Sequence, residues 1–141
     1  MLLFSRKISS QTGFHKTILL RGNHEAREIN YTKGFRAELH RKFEKCQAKD
    51  LFDKFNDVFN HMPLSCVIGR RHLCVHGGIS PRLTSLDAIC RIPKPLERVD
   101  KNALGCDLLW ADFKEELEGF EPNPDRDISI RFGMDVLEQT M

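Results

Sequence analysis

The chain has 141 residues, the length of one ordinary domain, and 22 basic against 20 acidic side chains give a formal charge of +2. That balance, with no basic stripe interleaved with aromatics, speaks against a nucleic-acid binder, and no apolar run approaches the roughly 18 residues of a membrane span. Five cysteines, odd in number and without a C-x-x-C pair, speak against a disulfide framework or a zinc site.

Cys66, Cys74 and Cys90 sit in apolar runs and read as buried, reduced thiols. The apolar opening Met1-Leu2-Leu3-Phe4 is too short for a signal-peptide core, and Arg6 and Lys7 follow it instead of preceding it. An intracellular setting, cytoplasm or nucleus, is expected.

In chain order, residues 1–16 read as the tail of a helix and a loop. No cap signal precedes Leu2, so this helix looks entered in its middle. Residues 17–20 form a short apolar run that stops at Arg21-Gly22 and is followed by Asn23, His24 and Glu25. This predicts a strand presenting three polar side chains at its carboxyl end, the edge where α/β proteins bind ligands. Residues 26–43 carry Ile29, Phe35, Leu39 and Phe43 near helical spacing, with Gly34 as an interruption. A polar loop is expected over 45–49.

Leu51, Phe52, Phe55, Val58, Phe59 and Met62 then mark an amphipathic helix over 51–61, which Pro63 ends. Its aromatic stripe reads as core packing. Two short strands, 64–68 and 72–75, flank a hairpin turn at Gly69-Arg70-Arg71. A short helix over 83–92, a polar connector over 95–105 and a buried Leu108-Leu109-Trp110 anchor follow. Residues 113–127 are acidic and proline-bearing, a surface loop. Residues 128–133 alternate like a strand, and a helix begins at Met134. No internal repeat, low-complexity stretch or linker divides the chain.

Two of these strands end in metal-capable side chains beside glycine: Asn23 after Gly22, and His76 before Gly77-Gly78. An amide oxygen is a hard ligand, and a histidine adjacent to it can donate a proton. His72 and His76 are four apart, but on a strand, so they do not form the helical two-histidine zinc pattern. The alternative is a solvated polar turn at His24.

Arg-Gly-Asn-His-Glu at 21–25, His-Gly-Gly-Ile-Ser-Pro at 76–81 and Leu-Leu-Trp-Ala-Asp at 108–112 occur in this order. Together they resemble the PPP-family serine/threonine protein phosphatases, most of all the type-1 catalytic subunits. The resemblance runs from about Leu2 to the C-terminus. It implies an α/β fold, an incomplete calcineurin-like metallophosphoesterase β-sandwich with flanking helices. It implies hydrolysis of phosphoserine and phosphothreonine in phosphoprotein substrates, with regulatory subunits as partners and neither nucleic acid nor membrane. It also implies two divalent metal ions of the manganese or iron type, since paired metals neutralise the phosphoryl oxygens and supply the nucleophile. Asn23 and His76 would hold one of them, His24 would be the general acid, and Arg126 would clamp phosphate.

The departures also matter. Ala111 and Phe113 stand where the family has Ser and Pro, and Lys33 where many members have a tyrosine. The GDxHG and GDxVDRG signatures and a late histidine ligand do not occur. The expectation is therefore one partial phosphatase domain over 1–141, truncated at both ends and inactive alone. A non-catalytic, phosphatase-like protein-binding module is the alternative. A dinucleoside-polyphosphate hydrolase is a weaker one.

Overall fold

The computed structural model describes residues 17–140. The expected helix tail and loop over 1–16 lie outside them. Residues 17–22 run without regular structure, not as the strand expected over 17–20. A strand exists only where a ladder pairs it. Here Arg21 N–H donates to Pro63 O at 2.9 Å, and no ladder pairs residues 17–20 among the described residues.

The first helical stretch is two helices, α1 (Arg27–Thr32) and α2 (Phe35–Lys42). Gly34 between them takes φ +98°, a left-handed conformation that glycine adopts without a Cβ penalty. The single helix expected over 26–43 is thus broken where its glycine stands.

Helix α3 (Lys45–His61) begins six residues before the amphipathic stripe, in the expected polar loop. Ala48 explains the extension: it is fully buried against Leu39 and Phe52. Phe35 joins the helices, edge-on to Phe55 at 5.3 Å and near Phe52 and Phe59. The aromatic stripe is core, as its spacing suggests. Buried Asn30 and Asn56 bond each other across α1 and α3 (2.8 and 3.3 Å).

The chain leaves α3 through Met62-Pro63 into strands β1 (Ser65–Ile68) and β2 (His72–Val75), paired antiparallel. Gly69 and Arg70 are both left-handed, and Arg71 N–H closes the turn on Ile68 O at 3.1 Å. Helix α4 (Leu86–Cys90) is shorter than expected, and Cys90 is exposed while Cys66 and Cys74 are half-buried. The burial expected for these three thiols is corrected. Cys106 is the buried one.

The expected polar connector also proves to be core. Leu96 and Val99 are buried with Ile92, Leu104, Leu108 and Leu109. Helix α5 (Ala103–Trp110) is capped by Asn102, whose Oδ1 accepts from Gly105 N–H at 2.7 Å. Buried residues lie all around it, so it is the central strut. The expected surface loop over 113–127 contains two short strands. Strand β3 (Asp112–Phe113) lies parallel to β5 (Ile130–Phe132), and β4 (Phe120–Pro122) lies antiparallel to β5 on its other side. Two or three residues are too few for an alternation to register in the sequence. Helix α6 (Met134–Thr140) follows, with Val136 and Leu137 against Ile79, Ala111 and Phe132. The architecture is α/β: two small sheets flanked by helices.

Candidate active site

The two signature segments meet. Asn23 Oδ1 and His76 Nε2 are 3.2 Å apart, although 53 residues separate them. Asn23, His24 and Glu25 form a single helical turn after Gly22. Arg21 holds that turn. It is fully buried, and its guanidinium donates to Glu25 O (2.9 and 3.3 Å), Leu96 O (2.7 Å) and Asn60 Oδ1 (3.1 Å). Burial lowers its pKa, with Glu25 and Glu28 opposing. The Glu25 carboxylate in turn accepts from Gly22 N–H at 2.8 Å. A Cβ at Gly22 would lie 2.7 Å from Glu25 Oε2 and 3.2 Å from His76 Cε1. The glycine before Asn23 therefore leaves room for the Glu25 carboxylate and for close packing of the His76 ring.

Gly77 and Gly78 have equally physical reasons. Gly77 N–H donates to Leu108 O at 2.8 Å, and a Cβ there would meet the Leu109–Trp110 backbone at 2.7 Å. A Cβ on Gly78 would stand 2.1 Å from the Phe132 ring. The end of β2 is thus pressed between α5 and β5. Beneath it lies Asp107, 3% exposed. It accepts from Ser80 Oγ (2.6 Å), Ser129 Oγ (2.8 Å) and Arg82 Nη1 (3.4 Å). It binds the segment after His76 to the segment before β5. The sequence reading left Arg21 without a role and passed over Asp107. The available signal was the same for both, a charged residue set in or against an apolar run.

His24 is exposed on the turn that carries Asn23. Arg126 is placed otherwise. Its contacts are with Asp112, through Nε to Oδ2 (2.5 Å) and Nη2 to Oδ1 (3.0 Å), and with the Trp110 ring, 5.6 Å from the guanidinium carbon. This fork holds the Asp112 carboxyl below its ordinary range and raises the arginine. Asn123 Nδ2 also donates to Asp112 at 2.8 Å. The structure thus joins Asn23 and His76 directly, with His24 next to Asn23 on the same turn. Among the described residues no side-chain contact links Arg126 to them; it lies against Trp110 at the end of α5, the helix whose Leu108 O receives Gly77 N–H.

Two donors each about 2.1 Å from one ion, at a right angle, stand about 3 Å apart. The Asn23–His76 separation of 3.2 Å suits neighbouring positions on a single cation. An amide oxygen with an imidazole suits a manganese- or iron-type ion better than a soft one. Among the described residues no group of three His, Cys, Asp or Glu gathers as a metal cage. The pair fits as part of a ligand set.

Two small sheets flanked by helices, with Asn23 beside His76 at one edge, suit a metallophosphoesterase fold. The chain belongs to the calcineurin-like phosphoesterase family, whose profile matches residues 1–140. Within it the chain is similar to serine/threonine protein phosphatases. It is 40% identical over 136 residues to serine/threonine-protein phosphatase PP1-delta of Caenorhabditis elegans, covering 96% of this chain and 42% of that protein. It also superposes on the structure of a protein serine/threonine phosphatase from Saccharomyces cerevisiae with similarity to human phosphatase PP5. There the TM-score is 0.81 at 27% identity, over 98% of this chain and 40% of that one. The chain therefore spans about two fifths of the length of these relatives.

Proposed function

We propose that Asn23, His24, His76 and Arg126 are this chain's share of a metal-dependent protein serine/threonine phosphatase centre. The observation that carries this is the 3.2 Å approach of Asn23 Oδ1 to His76 Nε2. Asn23 and His76 hold one of two divalent ions of the manganese or iron type. Bound ions supply charge neutralisation at the phosphoryl oxygens and a nucleophile at neutral pH. His24, exposed on the adjoining turn, carries a proton on an imidazole nitrogen for the departing serine or threonine oxygen. Arg126 offers a planar fork that matches two phosphate oxygens, and Asp112 holds that fork until substrate arrives. Phosphoproteins are the substrates and regulatory subunits the partners. Hydrolysis requires donors beyond this pair, so the chain as given is inactive alone.

The second reading, a phosphatase-like module that binds proteins without catalysis, draws on the donor count and on Arg126 being already neutralised by Asp112. The test is a phosphopeptide assay on a longer protein carrying these residues. The catalytic reading expects His24→Asn to lower turnover by roughly two to four orders of magnitude. The loss should be larger for a phosphoserine peptide than for an aryl phosphate, whose leaving oxygen needs little protonation. Equal losses on both substrates would remove His24 as the acid. No turnover in any such protein would favour the binding module.

A further inference from the structure

We propose that Cys66 and Cys74 are a redox modification site, closing reversibly into a disulfide across the β1–β2 ribbon. The two residues are direct partners in the antiparallel register. Directly opposed residues in such a pair have Cα atoms about 4.5 or 5.5 Å apart, depending on the hydrogen-bonding position. Both values fall inside the roughly 4.4–6.8 Å window a disulfide requires. Opposed side chains also share one face of the ribbon. The bond therefore forms without moving the backbone.

Both thiols are free and half-buried. Burial first, then the contact with Cys74, holds the Cys66 thiol above its ordinary range, so the pair reacts through proximity and not through acidity. The other cysteines differ. Cys106 is buried in α5, and burial together with Asp107 pushes its thiol up to about 11. Cys46 and Cys90 are exposed and have no strand partner.

The chemistry balances with a peroxide as oxidant. One thiol gives up two electrons to hydrogen peroxide and becomes a sulfenic acid with release of water. The other thiol displaces the sulfenic oxygen as a second water, and the S–S bond forms. A dithiol reductant returns both thiols. The closed ring contains the turn at Gly69–Arg71 and ends two residues before His76, so oxidation stiffens the strand that carries the site histidine. The inference is independent of the phosphatase reading, since it rests on the ribbon alone.

The experiment is peptide mapping of the purified chain after mild peroxide, with unreacted thiols alkylated and no reductant present. Trypsin cuts after Lys54, Arg70, Arg71 and Arg82, so the disulfide appears as residues 55–70 joined to residues 72–82. That linked peptide is expected as the dominant product from the native chain, with loss of two hydrogens, and dithiothreitol should abolish it. In denaturing urea its share should fall as cross-links spread over all five cysteines. Cys66→Ser should remove the peptide and leave Cys74 to further oxidation. The same distribution of cross-links in native and denatured chain would overturn the proposal without reliance on the variant. So would recovery of Cys66 and Cys74 as fully alkylated thiols after peroxide has oxidised Cys46 and Cys90.

Discussion

Arg21 shows what a single residue does for this site. Its guanidinium satisfies three acceptors from three segments, the Glu25 and Leu96 carbonyls and the Asn60 amide. It is fully buried. A charge out of water is costly unless every donor finds a partner. Methionine at this position fills similar volume but leaves the acceptors without a donor. Each unsatisfied buried group costs about 1–3 kcal/mol, so Arg21→Met should lose roughly 3 kcal/mol or more, read as a lower urea midpoint at unchanged slope. Arg21→Lys should recover only part, because an ammonium cannot reproduce the fork. Amide exchange should also speed up at Glu25 and Ala26, whose N–H groups close the turn on Gly22 O and Asn23 O at 3.2 Å. An Arg21→Met chain as stable as the parent, with an equally protected turn, would remove Arg21 as the support of Asn23.

At the scale of elements, the β2 end is wedged by two glycines in different ways. A Cβ on Gly77 meets backbone at 2.7 Å, whereas a Cβ on Gly78 meets the Phe132 ring at 2.1 Å. Both alanine variants should cost about 1–3 kcal/mol as overpacking. They should differ in rescue. Adding Phe132→Leu should restore part of the stability of Gly78→Ala and none of that of Gly77→Ala, since no side-chain change clears a main chain. Chemical denaturation of the two double variants is the measurement, and equal rescue would show the wedge to be wrongly assigned. The sequence displayed these glycines and the residues they flank. It also displayed α3, β1 and β2, because apolar periodicity and turn residues act locally. Its errors were of a different kind. Residues 17–20 have strand composition but no ladder partner among the described residues. Leu96 and Val99 lie in a polar-looking connector yet pack in the core. Asp107, passed over in the sequence, joins Ser80 to Ser129. Each of these outcomes is decided by a partner distant in sequence, which no local pattern encodes.

At the scale of the molecule, the two sheets do not close on each other. A cavity of about 750 Å³ opens between the β1–β2 ribbon and the β5–α6 region, lined by Val67, Leu73, Val75, Phe113, Phe132 and Leu137 among others. Val67 and Phe113 are 43% and 46% exposed. A largely apolar recess of this kind, with Arg70, Arg71 and His72 also in its lining, is a binding surface for an amphipathic molecule that fits. A fluorescent hydrophobic dye should therefore bind the native chain. Exposed apolar residues elsewhere allow a control: Val58 on α3 is 46% exposed and lies outside the cavity. Val67→Asp places a charge in the recess and should cut the dye signal severalfold, while Val58→Asp, equally exposed and equally charged, should leave it near the parent value. Far-ultraviolet circular dichroism must match for all three chains, since a loosened fold would raise the signal instead of lowering it. If both substitutions lower the signal equally, or neither does, the dye is not reading this cavity, and the open face between the sheets is not the dominant apolar surface of the molecule.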